Sequence, residues 1–294
     1  MKIKSSLSKK LFDIFNVIFM LCVAFITVYP LWYVICASFS DGNRLMADNR
    51  ALFLPLDFCF DAYVGVFKNK FILGGFTNTF LVLIGGLIIS MALTIIAAYG
   101  LSRKDVYWNK LIMKLVTITM FFSGGLIPLY LLVSRNLHLS DSLLALILPN
   151  AINTFNLIIM RTAFSQIPTS LEESARLDGA SHFQIMTRIV VPLSMSTIAV
   201  ILLYYAVERW NAWFYASIFL KDRAKYPLQL ILREILINND TASMSADASA
   251  NDQLSLGETI KYAVVVISMV PILVVYPFLQ RYFVKGVMVG AVKG

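Results

Sequence analysis

Charged residues are scarce in this sequence, and so are the residue types that build catalytic and metal sites. Lysine, arginine, aspartate and glutamate make up 14% of the 294 residues, and there are three cysteines and two histidines. Ordinary globular chains carry about 25% charged residues, so this composition excludes a soluble protein of this size. An odd number of cysteines without paired spacing also excludes a disulfide scaffold.

Sequence motifs for nucleotide, metal and acyl chemistry are missing as well. No glycine is followed by lysine, which excludes a phosphate-binding P-loop. There is neither a His-Glu-x-x-His metal motif nor a Gly-x-Ser-x-Gly nucleophile motif. The two histidines, His138 and His182, fall in different predicted loops. We therefore predict that the chain is not an enzyme, with no catalytic residues, no metal site and no cofactor of its own.

Apolar residues dominate instead, at 59% of the chain with a mean hydropathy of +0.75. A membrane-crossing helix needs about 20 mostly apolar residues. Six segments meet this requirement: 14–39, 76–101, 111–133, 143–160, 198–220 and 262–283. We predict an all-α polytopic membrane protein with six transmembrane helices in a single domain, residues 1–294.

The distribution of charge predicts the orientation. With the amino terminus inside, the inner segments hold 14 basic and five acidic residues, and the outer segments hold 10 and 11. An excess of lysine and arginine marks cytoplasmic loops, so both termini are predicted to be cytoplasmic. The connection 161–192 is then cytoplasmic, and 221–261 is extracellular. The basic residues form no patch with interleaved aromatics, so we expect contact with membrane lipid and not with nucleic acid.

The cytoplasmic connection 161–192 contains the pattern of two short helices joined by a glycine turn. Ser170 and Glu173 have capping-box spacing, and Glu172 adds charge at the positive end of the helix dipole. The first helix is predicted to stop at Asp178–Gly179, because glycine adopts the left-handed conformation that closes a helix.

A second helix is predicted to follow the glycine turn at once. It begins with a capping box from Ser181 to Gln184 and ends at Pro192, with an apolar stripe comprising Phe183, Met186 and Ile189 or Val190. From these residues alone, two interpretations stay open. The helix pair is either an amphipathic element at the lipid headgroups or a surface whose Leu177, Ala180 and Phe183 enter a partner's groove.

This loop resembles the signature of ABC importer permeases, Glu-Ala-Ala, three residues, Gly, nine residues, Ile-x-Leu-Pro. The chain has Glu173-Ser174-Ala175, Gly179 and Ile189-Val190-Val191-Pro192, with Ser174 and Val191 as departures. "LIPLYLL", "LPN", "WNAWF" and the ending "GVMVGAVKG" are similar to the carbohydrate-uptake branch, the maltose-type inner-membrane component. "YPLQLILREIL" is most similar to the subgroup for complex sugars or lipo-oligosaccharides.

The resemblance implies a type I ABC importer permease fold in a bacterial cell membrane, and a transmembrane subunit of an ATP-driven carbohydrate importer. The implied partners are a second permease, two ATPase subunits that bind ATP and Mg²⁺, and an extracellular solute-binding protein. Segment 238–257 would reach into the binding protein, and 290–294 would touch the ATPases. The implied coupling residues are Glu172, Glu173, Ala175, Leu177, Asp178, Gly179, Ala180 and Phe183.

The fifth predicted span also contains polar residues at helical spacing. Tyr204, Glu208, Asn211 and Tyr215 recur at intervals of four, three and four, so a continuous helix would place them on one face. Asn150, Asn153 and Thr154 are predicted to share a face of the fourth span. We interpret both sets as the wall of a sugar pathway; the alternative is a structural polar contact between helices. Paired glycines at 74–75, 85–86 and 124–125 are predicted to allow close helix packing.

Two other functions remain as alternatives. One is an ABC permease for a solute other than a sugar. The other is a secondary carrier or channel, which would transport without an ATPase and would tolerate disruption of the glycine turn.

Overall fold

The structure is a computed structural model that describes residues 7–48, 51–103, 105–238 and 250–291. Within these ranges the chain is helical and contains no strand. It divides into two compact units, residues 1–70 with 234–270, and residues 71–233 with 271–294. The second unit contains all the described residues that are predicted to act in coupling or in the pathway.

The α-helices follow in the order α1 (Leu7–Ser38), α2 (Gly42–Ala47), α3 (Asp61–Lys68), α4 (Lys70–Ser102), α5 (Asn109–Phe121), α6 (Leu126–Leu131), α7 (Leu144–Ile147), α8 (Thr154–Ser165), α9 (Thr169–Leu177), α10 (His182–Ile185), α11 (Val191–Leu193), α12 (Met195–Trp210), α13 (Phe214–Phe219), α14 (Leu228–Asn238) and α15 (Ala250–Ala291). Two π-helical turns, Leu132–Asn136 and Met186–Val190, and one 3₁₀ turn, Arg223–Lys225, complete them. In the described part of the chain, three helices are long and apolar enough to cross a membrane, or up to five if each bent pair counts as one span.

Three predicted spans are confirmed as helices: 14–39 within α1 apart from its last residue, 76–101 within α4, and 262–283 within α15. The other three are interrupted, which corrects the prediction of continuous helices. The third bends by 108° between α5 and Leu126–Asn136, where Gly125 has a φ of +85° that glycine adopts freely. The fourth breaks at 148–153, around Pro149, and the fifth breaks between Trp210 and Phe214. The six-span count and the cytoplasmic termini stay predictions.

The core of the second unit packs α8 and α12 against the carboxyl-terminal half of α4. Its buried side chains include Tyr99, Phe164, Ile185 and Tyr205. The fully buried Tyr205 hydroxyl lies 2.8 Å from the Thr94 hydroxyl and accepts a hydrogen bond of 2.9 Å from the Asn153 N–H. One side chain of α12 thus joins α4 to the start of α8.

The predicted role of the paired glycines holds for one member of each of the first two pairs. A Cβ on Gly75 would lie 2.6 Å from the Ile231 side chain, and one on Gly86 would lie 2.5 Å from the Arg209 guanidinium. A Cβ on Gly74 would meet nothing within 4 Å, and one on Gly85 would make an ordinary contact of 3.5 Å. Among the six paired glycines, close approach therefore requires glycine at positions 75 and 86 and not at 74, 85, 124 or 125.

A carboxylate joins two connections of the second unit. Asp141 accepts hydrogen bonds of 3.0 Å from the N–H groups of Lys221 and Asp222 and pairs with the Lys225 ammonium at 2.6 Å. These donors hold the pKa of the Asp141 carboxyl well below its usual value, and the same pairing raises the pKa of Lys225.

In the first unit, Cys36, Ala37 and Leu52 form a small buried cluster against Tyr33 and Tyr262. The Tyr33 and Tyr262 rings meet edge to face at 6.0 Å. Cys22, Cys36 and Cys59 are all free thiols.

Candidate functional site

The first helix of the connection 161–192 is α9, and its start differs from the prediction. Pro168 is the N-cap residue, and no side chain caps the helix. The predicted Ser170–Glu173 capping box does not form, because the helix begins at Thr169 and Ser170 already lies in its first turn. Proline fixes a φ that suits a helix start and has no N–H to leave unpaired.

The end of α9 is as predicted. Gly179 has a φ of +80°. Its N–H donates to the Arg176 carbonyl at 3.0 Å, and the Ala180 N–H donates to the Ala175 carbonyl at 2.9 Å. These two bonds form a Schellman motif, which closes a helix through a left-handed residue. Glycine is therefore required here by the backbone and not by packing, since a Cβ would meet nothing within 4 Å.

The second capping box is confirmed. The Gln184 N–H donates to the Ser181 hydroxyl at 3.3 Å, and the Ser181 N–H donates to the Gln184 side-chain oxygen at 2.8 Å. The helical run continues through the π-helical turn to Leu193, one residue beyond the predicted end, and then bends by 85° into α12. The π-helical turn shifts the backbone bonding just before Pro192, and a shift of this kind accommodates a residue without an N–H and produces a bend.

The helix pair has one buried and one exposed face. Ile185, Met186 and Val190 are buried in the core, whereas Leu177 and Phe183 are 90% and 69% exposed. The predicted apolar stripe is therefore partly wrong, because the buried face includes Ile185 and does not include Phe183. Two large apolar side chains on either side of a rigid turn form a surface that is typical of a contact with another molecule.

The two adjacent acids of α9 have different environments. Glu173 is exposed, whereas Glu172 is buried and forms an ion pair with Arg103, the residue that follows α4. The Arg103 guanidinium also donates to the Ser102 hydroxyl at 2.9 Å and to the Phe164 carbonyl at 3.4 Å. Burial lowers the pKa of Arg103. Glu172 therefore fixes the loop to α4.

Further contacts bind the loop to the same end of α4. The Tyr99 hydroxyl lies 3.3 Å from His182 Nδ1, and Arg161 Nε donates to the Leu101 carbonyl at 3.0 Å. A cavity of about 380 Å³ lies beside the ion pair, lined by Ser102, Arg103, Asp105, Phe164, Ser165, Ile167, Thr169, Glu172, Glu173 and Arg176. Both helices of the loop are thus attached to one membrane helix, α9 through Glu172 and α10 through His182.

A second cavity, of about 230 Å³, is lined by several of the predicted pathway residues. Its lining comprises Thr79, Val82, Leu146, Asn150, Glu208, Arg209, Asn211, Ala212, Trp213, Phe214, Tyr215 and Pro227. Tyr204 does not line it. Tyr215 reaches the cavity because the chain breaks after Trp210, and not through the continuous helical face that the spacing suggested.

The fourth-span residues are also placed by a break in the chain. Asn150 lies between α7 and α8 and lines the cavity, whereas Asn153 caps α8, accepting hydrogen bonds from the N–H groups of Phe155 at 3.0 Å and Asn156 at 3.3 Å. The Thr154 hydroxyl lies 3.2 Å from that of Thr119. The prediction that these three residues share a helical face is wrong, because they belong to a loop and a helix start.

Arg209 holds the broken fourth and fifth spans together. It is 7% exposed, and its guanidinium donates to the Ser90 hydroxyl at 2.6 Å and to the carbonyls of Asn150 at 3.3 Å and Leu146 at 3.4 Å. Interrupted helices at membrane depth leave carbonyls that must be satisfied from within the protein. Arg209 was not among the predicted pathway residues, although an arginine within an apolar span is itself an indication of function.

Long apolar helices, interrupted spans around a mostly apolar cavity with a few polar groups, and an exposed bent helix pair are typical of a multi-pass membrane transport protein. A family model then identifies it further. The chain belongs to the binding-protein-dependent transport system inner membrane component family, whose model matches residues 2–289. The family resemblance drawn from the coupling-loop motif is confirmed.

Relatives extend over the whole chain. It is 42% identical over 293 residues to the polygalacturonan/rhamnogalacturonan transport system permease protein YtcP of Bacillus subtilis strain 168, covering 98% of this chain and 100% of the relative. It is 41% identical to Protein LplC of the same strain, covering 97% and 96%. Among solved structures, a chain of a bacterial ABC transporter involved in the import of the acidic polysaccharide alginate superposes with a TM-score of 0.90 at 32% identity, covering 96% of this chain and 100% of that one.

Proposed function

We propose that the chain is the transmembrane subunit of an ATP-driven importer of oligosaccharides, and that the α9–α10 helix pair receives the motion of ATPase subunits. The observation that supports this most directly is the pairing of an exposed apolar turn with a buried attachment to the membrane helices. Leu177 and Phe183 are available to a partner, while Glu172 and His182 bind the same helix pair to α4.

The coupling mechanism follows from this arrangement. The cleft of an ATPase subunit receives Leu177, Ala180 and Phe183, and a basic residue there pairs with the exposed Glu173. The Schellman turn at Gly179 keeps the two helices at a fixed angle, so the pair moves as one body. The buried ion pair between Glu172 and Arg103 then transmits that displacement to α4, which lines the second cavity through Thr79 and Val82.

The remaining subunits are part of the same proposal. A second permease completes the pathway, and two ATPase subunits bind ATP and Mg²⁺, since this sequence contains no P-loop. An extracellular solute-binding protein delivers the sugar; a related transporter was solved in complex with an alginate pentasaccharide-bound periplasmic protein. The segments assigned to these contacts, 238–257 and 290–294, lie largely or partly outside the described residues.

The substrate class is proposed from relatives and from the cavity. Relatives include permeases for polygalacturonan/rhamnogalacturonan and for arabinooligosaccharides. The aromatic rings of Trp213 and Tyr215 and the amides of Asn150 and Asn211 supply the faces and hydrogen-bonding groups that sugar rings require. At about 230 Å³ the cavity is smaller than the roughly 300–1,000 Å³ of pockets for drug-sized ligands, so it suits one sugar ring at a time.

Reconstituted vesicles test the coupling role. We expect ATP-dependent uptake of oligosaccharide only when the chain is combined with the second permease, the ATPases and the binding protein. Gly179→Pro or Glu173→Lys should leave the chain inserted and the pathway intact but should uncouple ATP hydrolysis from uptake. Thr187→Lys, an exposed position on the π-helical turn, is the matched charge control.

Two results would contradict the proposal. Normal uptake by both coupling variants would remove the docking role of the helix pair. Uptake by the purified chain alone, without ATPase, would favour a secondary carrier.

A further inference from the structure

Arg209 is a buried cation, and the acidic residue that attracts it is its exposed chain neighbour Glu208. Among the described residues, its guanidinium forms no ion pair, and its Nε–H has no acceptor. The three acceptors that it does have are all neutral, and the two carbonyl bonds, at 3.3 and 3.4 Å, are longer than the usual distance of about 2.9–3.0 Å. A buried charge normally has a counter-ion, so the structure leaves this arginine incompletely compensated.

Arg209 keeps hydrogen-bonding capacity that its neighbours do not use, although its Nε atom is itself buried. Arginine has five N–H donors, and the three hydrogen bonds leave two of them without an acceptor, one being Nε–H. Arg209 lines the cavity together with Asn211, Trp213 and Tyr215. Gly86 packs against the guanidinium, since a Cβ there would lie 2.5 Å from its Cζ and Nε atoms.

We propose that Arg209 binds the carboxylate of a uronic acid residue as an acidic oligosaccharide passes through the cavity. This inference rests on the proposed transport function and specifies its substrate class. A carboxylate is the ligand that an arginine binds most strongly, through charge-assisted hydrogen bonds. It would take over one of the long bonds to the Leu146 and Asn150 carbonyls.

Glu208 gives the same cavity an orientation preference. Its carboxylate is exposed and makes no ion pair with Arg209. A uronic acid residue that presents its carboxylate toward Glu208 is repelled, whereas one that presents it toward Arg209 is bound. Attraction on one side and repulsion on the other is the usual basis of specificity, and it predicts that acidic sugars enter in one orientation.

A matched pair of substrates tests this proposal against a purely structural role for Arg209. The pair is an oligogalacturonide of defined length and the same oligosaccharide with its carboxyl groups reduced to alcohols. Uptake of both is measured in vesicles with the complete transporter, and the ratio of acidic to neutral uptake is compared between each variant and the unsubstituted protein. The preference of the binding protein is the same in every preparation and cancels in this comparison.

We expect Arg209→Gln to lower kcat/KM about 10- to 100-fold more for the acidic substrate than for the neutral one, the effect of losing one charged hydrogen bond. Loss of its contacts to the fourth span affects both substrates alike and cancels in the ratio. Arg209→Lys should restore part of the acidic uptake. Glu208→Gln should raise the ratio, because it removes the repulsion. An equal loss of both substrates in Arg209→Gln, with no change of the ratio in Glu208→Gln, would overturn the proposal.

If the Arg209→Gln variant fails to insert, Gly86→Ala provides a second test in which the positive charge of Arg209 is kept. Its Cβ displaces the guanidinium, so we expect the same selective loss of acidic uptake, whereas Gly85→Ala serves as the control because it meets only an ordinary contact. An unchanged ratio in Gly86→Ala would count against the proposal. Absence of ATP-dependent uptake of either substrate by the unsubstituted transporter would instead refute the transport function itself.

Discussion

Replacement of Glu172 by alanine should destabilise the protein far more than the same change at Glu173. The side chains of Glu172 and Arg103 are 7% and 9% exposed, so removal of the acid leaves an arginine buried without its counter-ion. Breaking such a pair costs about 3–5 kcal/mol. Glu173 is exposed, and surface changes of this kind stay within about 0.5 kcal/mol.

Thermal unfolding of the purified protein in detergent, followed by circular dichroism, measures this difference. For a chain of this size we expect the midpoint of Glu172→Ala to fall by on the order of 10 °C, and that of Glu173→Ala to stay close to the unsubstituted value. The double variant Arg103→Met with Glu172→Leu should recover much of the loss, because an apolar pair can replace a buried ion pair.

Equal midpoints for the two single variants would refute this reasoning, since they would show that Glu172 is not buried against Arg103. A double variant as unstable as Glu172→Ala would show instead that the loss comes from packing of the α9 helix and not from an uncompensated charge. The adjacent position of the two acids makes the comparison sharp, because helix propensity and distance from the helix start are nearly the same.

Three further predictions concern single positions. Gly179→Ala should destabilise the coupling turn by about 1–2 kcal/mol, because φ is +80° there; faster amide hydrogen exchange at Ala180 would check it, and unchanged exchange would contradict it. Gly75→Ala should lower the free energy of unfolding by about 1–3 kcal/mol because its Cβ overpacks against Ile231, whereas Gly74→Ala should not destabilise the protein. The denaturation midpoints of the two variants measure this difference, and equal shifts would contradict the close packing at Gly75. Asp141→Asn should lower the melting temperature at neutral pH. Because the pKa of Asp141 is depressed in the folded state, its contribution to stability is present above the unfolded pKa of about 3.9 and fades as the pH falls below it. A difference in melting temperature between Asp141→Asn and the unsubstituted protein that persisted unchanged at low pH would contradict this account.

The features that depend on neighbouring residues could be predicted from the sequence. The Gly179 turn and the Ser181 capping box are closed by hydrogen bonds within six residues, so their residue types and spacing determine them. The start of α9 was missed because Pro168 and Ser170 can each precede the first turn of a helix, and only the start after Pro168 forms.

The features that depend on distant residues could not be predicted from the sequence. Breaks in the fourth and fifth spans are stabilised by Arg209, whose acceptors lie more than 50 residues away in sequence. The ion pair between Arg103 and Glu172 also joins residues that lie more than 50 positions apart in the sequence. One indication was available, since adjacent residues on a helix point about 100° apart, and Glu172 and Glu173 therefore could not both face the same partner.

Site-specific crosslinking to the ATPase subunit tests most directly whether motion enters through the helix pair. Cysteines are introduced singly at Leu177, Phe183 and Ile185 in a protein whose native cysteines have been replaced. We expect Leu177→Cys and Phe183→Cys to crosslink to the ATPase within the assembled transporter, and the buried Ile185→Cys not to. Efficient ATP-driven uptake with no ATPase crosslink at position 177 or 183 would contradict the account.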